Sequence, residues 1–322
     1  IERRLPRPRV AAEGERGRIG SAGVSRVFTL MLPALFGVSV AQINLLVNTI
    51  LASFLVTGSV SWLYYSDRLM EFPLGVFGIA LATGILPTLS RQVAENSTGP
   101  YFRTIDWALG LVMIVTIPAM VGLAALAYPL MVVLFHYGAF SEHDASMASY
   151  SLMAFCPGLI GFVVVKVLAP GFYARKDTRT PVRVAMVAML VNVLAAAVFT
   201  LVFKFGHVGL ALATSLSGLI NALLIYYYFV RETGYRSGMA DNHRSRGSSW
   251  GGFMARIVLA SVVMAVVLLQ ATDDPQAWTS KAVIDRVLWL MMWIGLGSGV
   301  YFVCLYLLGI RFDDFSRPAD RG

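Results

Sequence analysis

The chain has 322 residues, of which 57% are hydrophobic and 14% charged, and its mean hydropathy is +0.70. This composition excludes a soluble globular protein and predicts an all-α, polytopic membrane protein. The net charge of +8 does not indicate nucleic-acid binding, because the basic residues lie in short loops beside apolar segments and form no recognition motif.

Eight segments are long and apolar enough to cross a bilayer as helices, since about 20 residues suffice for one crossing. They cover residues 27–56, 63–88, 107–127, 147–172, 182–203, 207–230, 253–271 and 287–309. We therefore expect eight transmembrane helices. A polar stretch rich in Gly, Ser and Arg follows the sixth segment and separates six helices from a final pair.

Charge divides the connections between these segments into two classes. Lys and Arg crowd the connections on one side, whereas the loop at 136–145 on the other side is acidic and contains histidine. By the positive-inside rule, the basic connections and both termini are cytoplasmic.

The expected regions are a basic cytoplasmic segment (1–26), a six-helix lobe (27–230), a cytoplasmic linker (231–252), a final helix pair (253–310) and a cytoplasmic tail (311–322). Residues 1–26 contain seven arginines and no apolar core of a signal peptide, so we expect them to continue from a longer chain.

The first segment carries a line of amide side chains. Asn44 and Asn48 lie one helical turn apart and share a face with small residues, among them Ala41 and Ala52. Small residues allow a second helix to approach, and amides can hydrogen-bond across the contact, so this face is typical of helix packing. The alternative interpretation is that Asn48 lines a polar cavity.

Charged residues within the second segment are the strongest functional signal in the chain. Asp67, Arg68 and Glu71 lie in an otherwise apolar stretch, where an ionisable group indicates function. At 100° per residue, Arg68 and Glu71 share one helical face with Ser61, Tyr64 and Gly75. An arginine that faces lipid at mid-bilayer costs from roughly 3 to more than about 10 kcal/mol. Arg68 is therefore predicted to face a wet cavity.

The fourth segment contains one cation, Lys166, well inside its apolar run. Two interpretations of this residue stay open. Lys166 lies about two turns from the cytoplasmic loop, so its ammonium can snorkel to that surface, or it can line the same cavity as Arg68. Further on, Pro170 and Gly171 are predicted to break the helix, and Asp177 is predicted to cap the next one.

The sequence lacks the motifs of common enzyme sites. No HExxH, GxSxG, P-loop or GxGxxG pattern occurs. A membrane glycosyltransferase or prenyltransferase, the competing class, needs acids that hold a metal on the cytoplasmic side, and only Asp313 and Asp314 in the tail qualify. His136 and His143 have no further ligands nearby in the sequence. We therefore predict a protein that is not an enzyme and that uses no metal or cofactor.

Three stretches identify the sequence further: LMLPALFGVSVAQINLLVNTILASFL (30–55), GSVSWLYYSDRLMEFPLGVFGIALATGILPTLS (58–90) and GLIGFVVVKVLAPGFYARKDTRTPV (158–182). In these stretches the chain resembles the MurJ/MviN lipid II flippase family of the multidrug/oligosaccharidyl-lipid/polysaccharide exporter superfamily. Members of the family have fourteen transmembrane helices, in two six-helix lobes plus a final pair. The resemblance implies that the eight helices are the second lobe and the final pair, and that a first lobe of the same protein is their partner.

The resemblance also implies a function and a site. Members move lipid II, a polyprenyl diphosphate that bears a disaccharide-pentapeptide, from the cytoplasmic to the outer leaflet of the bacterial plasma (inner) membrane, by alternating access of the two lobes. The anionic head then crosses a cationic cavity while the tail stays among membrane lipids, in a groove edged by the last two helices. By resemblance, the residues that line this cavity are Ser61, Arg68, Glu71 and Lys166. The pattern of polar residues adds Asp67 and Asn48 as candidates.

A related transporter is the alternative interpretation of the same pattern. It would move another polyprenyl-linked glycan or a drug cation. A cation exporter needs acids as the dominant cavity charge, whereas here Asp67 and Glu71 are balanced by Arg68 and Lys166. The charge balance therefore favours an anionic substrate.

Overall fold

The computed structural model describes residues 42–75, 80–235, 250–270 and 276–310. The regular structure in these ranges is entirely helical, as predicted. The helices are α1 Gln42–Ser53, α2 Ser59–Pro73, α3 Ala80–Ala94, α4 Thr98–Ala125, α5 Ala127–Phe135, α6 Glu142–Ala174, α7 Arg179–Ala197, α8 Gly206–Thr233, α9 Trp250–Leu269, α10 Gln276–Thr279 and α11 Val283–Leu307. A π-helical stretch, Val198–Val202, continues α7.

Six of these helices are long and apolar enough to cross a membrane, which confirms the multi-pass class. They are α4, α6, α7 with its extension, α8, α9 and α11, and they coincide with the third to eighth predicted segments. The first predicted segment lies partly outside the described residues, and its described part contains α1. The second corresponds to α2 and α3, with residues 76–79 outside the description. Regions 1–26 and 311–322 and most of the linker 231–252 also lie outside it.

Polar turns extend the spanning helices beyond their apolar segments. α4 begins at Thr98 rather than near residue 107, and α6 begins at Glu142 rather than near residue 147. At α6, Ser141 and Asp144 form a capping box, in which the Asp144 backbone N–H donates to Ser141 Oγ at 3.2 Å and the Ser141 backbone N–H donates to Asp144 Oδ2 at 2.8 Å. Hydropathy reports only the apolar part of such a helix, so the sequence places these starts too late.

The predicted helix break at Pro170 and Gly171 is wrong. α6 continues through both residues to Ala174. The Gly171 carbonyl accepts a 2.9 Å hydrogen bond from the Tyr101 hydroxyl, and a Cβ at Gly171 would lie 3.0 Å from the Phe229 ring. α4 and α8 therefore pack against the last turn of α6, where Tyr101 supplies a donor to a carbonyl that the end of the helix leaves without one.

The helices pack as a row in the order α11, α9, α4, α6, α8 and α7, and α2 and α3 lie against α6. At one end of the row, the Tyr301 hydroxyl of α11 donates a 2.7 Å hydrogen bond to the Ile114 carbonyl of α4, which fixes α11 against α4. At the other end, Ala52 of α1 lies in one buried cluster with Ala196 and Leu210, from α7 and α8. Each helix of the row therefore makes its most extensive contacts with its neighbours in the row.

α6 and α8 meet at a seam of small residues. A Cβ added at Gly161 would lie 2.4 Å from the carbonyl carbon of Gly218, and one at Gly158 would lie 2.7 Å from Ser215 Cα. Ser215 Oγ also donates a 2.6 Å hydrogen bond to the Ala154 carbonyl. These distances leave no room for a larger side chain, so the two helices touch at their backbones, as small residues allow in membrane proteins.

Candidate functional site

α2 is anchored to α6 and α8 through its N-terminal half. Trp62 Nε1 donates a 2.7 Å hydrogen bond to Asp144 Oδ1, and the indole packs edge-on against the His207 ring with centroids 4.7 Å apart. One turn further on, Ser66 Oγ donates to the Ala148 carbonyl at 2.7 Å. Trp62 and Ser66 are both buried. These contacts fix the rotation of α2 about its axis and so determine which of its residues face outward.

The opposite face of α2 carries the predicted polar residues. Arg68 Nη1 lies 2.6 Å from Glu71 Oε2, and the two side chains stay 52% and 49% exposed. The Arg68 guanidinium also lies 5.0 Å from the centroid of the Tyr64 ring, within cation–π range. Ser61 is exposed about two turns earlier. The structure thus brings these four residues together on one exposed face.

Asp67 lies at the border between the two faces of α2. It is partly buried. Its charged neighbours in sequence, Arg68 and Glu71, pair with each other, and among the described residues the Asp67 carboxylate forms no ion pair. The salt bridge on the exposed face is therefore made without Asp67.

Lys166 lies on α6, nearer the C-terminal end of that helix than the turns that hold α2. Among the described residues, the Glu71 carboxylate of α2 is the charged group that acts electrostatically on the Lys166 ammonium. No carboxylate of the described ranges lies within 4 Å of the Lys166 ammonium.

The direction of the Lys166 side chain bears on its two interpretations. Ala174, the last residue of α6, is about 12 Å further along the helix, so a long side chain can only partly bridge the gap by snorkelling. Side chains on a helix lean towards its N-terminus. Lys166 therefore leans away from the end of α6 and towards the level of the Arg68–Glu71 pair, which favours the cavity interpretation.

Asn48 lies in a cluster that joins three helices. Nδ2 of Asn48 and Nδ2 of Asn192 on α7 donate to Thr214 Oγ1 of α8, at 3.3 and 3.2 Å. Oδ1 of Asn44, Asn48 and Asn192 is buried and accepts no hydrogen bond in the described part of the chain. Because the Asn48 amide is engaged with α8, the cluster supports the packing interpretation of the amide line.

The residues that orient α2 escaped the sequence analysis. Trp62 and Ser66 lie one turn apart on the buried side of the helix, and that spacing alone indicates packing. Their partners Asp144, Ala148 and His207 are distant in the sequence and belong to other helices. No local pattern could identify these pairs, because only the packing of α2 against α6 and α8 brings them together.

The exposed face of α2 can recognise an anion. A guanidinium presents its N–H donors as a planar fork that matches carboxylate or phosphate oxygens, and Arg68 now directs that fork at Glu71. A phosphate has more charge than one carboxylate and can replace Glu71 at the guanidinium. Lys166 supplies a second cation further along the lobe.

Comparison with known proteins identifies one family. Residues 14–288 match the family model described as lipid II flippase MurJ. A probable lipid II flippase MurJ of Vibrio cholerae is 48% identical over 298 residues, which cover 92% of this chain and 55% of the relative. The lipid II flippase MurJ of Burkholderia cenocepacia is 35% identical over 299 residues, with 92% and 56% covered. The chain thus spans about half the length of the curated relatives it matches.

Solved structures share the fold. A structure of lipid II flippase MurJ in an inward closed conformation matches with a TM-score of 0.70 and 26% identity, covering 88% of this chain and 54% of the other. An outward-facing MATE family multidrug resistance transporter of the MOP superfamily matches with a TM-score of 0.54 and 18% identity, covering 86% and 63%. The second likeness is one of fold alone.

Proposed function

Because this chain belongs to the lipid II flippase MurJ family, we propose that it forms part of a transporter that moves lipid II from the cytoplasmic to the outer leaflet of the bacterial plasma membrane. The transport is physical and makes no covalent bond. It serves cell wall biosynthesis, since lipid II carries the peptidoglycan precursor.

The observation that carries this proposal is the Arg68–Glu71 pair. The pair is about half exposed on a helix whose flanking residues are largely apolar. Lipid cannot be its surroundings, because an arginine facing lipid at mid-bilayer costs several kcal/mol. A wet cavity between this lobe and a second one provides water for the empty state and room for a diphosphate. When the diphosphate arrives, Arg68 exchanges Glu71 for phosphate oxygens.

The proposed site extends from this pair along the lobe. Arg68 binds the diphosphate, Glu71 neutralises Arg68 when the cavity is empty, and Lys166 meets the anionic head nearer the cytoplasmic end. Ser61 and Asp67 border the same cavity, whereas Asn48 contributes through helix packing. The electrostatic interaction between Glu71 and the Lys166 ammonium supports the placement of both residues at one cavity.

The proposed architecture follows the region boundaries of the sequence analysis. α1 to α8 form a six-crossing lobe in which α2 and α3 together make one crossing, and α9 and α11 form the final pair. The basic connections and both termini face the cytoplasm. The partner in alternating access is a first lobe of the same protein, and the cavity opens to each side in turn as the lobes rock.

A reconstituted flipping assay tests the proposal. The full-length protein is placed in liposomes with fluorescent lipid II, and an impermeant quencher reports how fast the label crosses. Arg68→Ala is expected to slow flipping by at least about tenfold, because a charge-assisted hydrogen bond to the diphosphate is lost. Arg68→Lys keeps the charge without the fork and should fall between that variant and wild type.

Arg91→Ala is the matched control. Arg91 and Glu95 form the other ion pair of the described ranges, with Nε and Oε1 3.9 Å apart at the end of α3. Loss of that exposed pair should leave flipping unchanged. A wild-type flipping rate for Arg68→Ala, with normal insertion, would remove Arg68 from the mechanism.

A further inference from the structure

A pocket separate from the proposed Arg68 cavity lies where α3, α6 and α8 end and α4 begins. Its volume is about 230 Å³, the space of about seven or eight water molecules in the liquid. Tyr101 and Phe102 of α4 provide an aromatic wall, and polar side chains from all four helix ends complete the lining. The pocket is remote from Arg68, since it lies beyond the helix ends that follow Lys166.

Two opposite charges line this pocket without pairing. Arg175 comes from the end of α6 and Glu232 from the end of α8, and both are exposed. Neither belongs to an ion pair within 4 Å in the described part of the chain. Glu232 Oε1 accepts a 3.5 Å hydrogen bond from Thr180, which leaves the other carboxylate oxygen able to accept another. A cation and an anion held apart across one cavity match a ligand that carries both charges.

Neutral groups near Arg175 suit the anionic end of such a ligand. Ser97, the residue before α4, lines the pocket, and its hydroxyl makes no capping bond to the helix. Thr98 and Gln92 line the same wall, and the Gln92 amide donates one of its two N–H groups to Thr104 Oγ1 at 3.0 Å. Hydroxyl and amide donors beside a guanidinium are the groups that hold phosphate oxygens in proteins.

Tyrosines on α8 indicate where the pocket lies relative to the membrane. α8 presents three consecutive tyrosines, Tyr226 to Tyr228, just over one turn before Glu232, and Tyr227 is 55% exposed. Tyrosine is enriched where a membrane helix meets the interface. With the orientation proposed above, this interface is the cytoplasmic one, where lipid headgroups surround the helix ends.

We propose that this pocket binds the phosphoethanolamine headgroup of an inner-leaflet phospholipid. Arg175 binds the phosphate, together with the Ser97 and Thr98 hydroxyls, and Glu232 accepts hydrogen bonds from the ammonium. The two charges of this headgroup are joined by only two carbons, so one small group presents both charges to the lining of a pocket of about 230 Å³. The proposal rests on the proposed orientation but does not involve the Arg68 cavity.

Lipid binding to the full-length purified protein tests this. The probes are short-chain phosphatidylethanolamine, phosphatidylglycerol and phosphatidylcholine, each below its micelle concentration, and inorganic phosphate, with affinity measured by native mass spectrometry. Phosphatidylethanolamine is expected to bind most tightly. Arg175→Gln and Glu232→Gln should each weaken it by about tenfold, since each removes one charge-assisted contact. Arg183→Gln, an exposed arginine of α7 outside the pocket, should not change it.

Other outcomes overturn the proposal. Equal binding of phosphatidylcholine, whose ammonium has no N–H, excludes recognition by Glu232. If phosphatidylglycerol binds more tightly than phosphatidylethanolamine, and Glu232→Gln strengthens its binding further, the pocket is a plain anion site. If inorganic phosphate binds as tightly as the lipid, the pocket is a free-phosphate site. If the lipid does not bind saturably, the side chains of Arg175 and Glu232 are simply solvated. Flipping is measured in a separate assay. A negative result in the lipid-binding assay therefore does not bear on the role of Arg68, and normal flipping by Arg68→Ala does not bear on this pocket.

Discussion

Arg68 and Lys166 are the two cations of the proposed cavity, and they differ in how each is held. The guanidinium of Arg68 is oriented by Glu71 and by the Tyr64 ring. The ammonium of Lys166 has no carboxylate within 4 Å among the described residues. A lysine side chain is flexible and presents a point charge, so its role depends on charge more than on geometry. The two residues therefore call for different substitutions.

Lys166→Gln separates the cavity and snorkelling interpretations, because it removes the charge with little change of length. If Lys166 meets the diphosphate, this variant should weaken lipid II binding most at low salt, since salt screens the lost attraction. The thermal stability of the protein should barely move. Lys166→Arg keeps a charge that can still snorkel, so it should be tolerated if the residue only anchors the helix end. Equal lipid II affinity of wild type and Lys166→Gln at low salt would defeat the cavity interpretation.

At the scale of single helices, the turn between α6 and α7 confirms the predicted cap. Asp177 Oδ1 accepts hydrogen bonds from the backbone N–H groups of Arg179 and Thr180, at 2.9 and 3.1 Å. Burial raises the pKa of the Asp177 carboxyl, but the hydrogen bonds from Thr180 and Arg179 outweigh it, and the pKa lies below its ordinary value. A depressed pKa means that the ionised form stabilises the folded state, and that this contribution is lost as the pH falls through the folded-state value.

Asp177→Ala should lower the stability of the protein by about 1 kcal/mol at neutral pH, as expected for loss of a helix cap. The difference from wild type should shrink as the pH falls below about 4, where the Asp177 carboxyl of the unfolded chain becomes protonated, and should be lost once the pH passes the lower folded-state pKa. Asp177→Asn is the control, because its amide oxygen still accepts from the backbone and carries no charge. Thermal unfolding in detergent at several pH values measures both effects. A difference that is independent of pH would show that the carboxylate charge contributes nothing.

The sequence predicts single helices better than it predicts their mutual contacts. The spanning helices were predictable because each needs about 20 apolar residues, and the polar face of α2 was predictable because Arg68 and Glu71 lie on one side at 100° per residue. The continuation of α6 through Pro170 was not, and the residues that pack against its last turn, Tyr101 and Phe229, belong to other helices. Short helices such as α5 and α10 also escaped, because they pack at the ends of longer helices and show no separate apolar span.

At the scale of the whole molecule, the proposed orientation makes the loops on one side accessible from outside the cell. Single cysteines at Ala94, at the end of α3, and at Ala139, between α5 and α6, mark the two sides at exposed positions. The single cysteines are introduced into a parent protein in which the native Cys156 and Cys304 are replaced by alanine. In intact cells, an impermeant thiol reagent should label Ala139→Cys and not Ala94→Cys. Labelling of both positions after permeabilisation is the control, and labelling of Ala94→Cys from outside would contradict the orientation.

The glycine seam between α6 and α8 has a consequence for the order in which the protein is assembled. α6 precedes α7 and α8 in the chain, so Gly158 and Gly161 leave the ribosome before Ser215 and Gly218, the residues that they pack against. The two backbones can come into contact only after α8 has been synthesised. The seam at the centre of the described helices is therefore completed by a helix that follows both α6 and α7 in the chain.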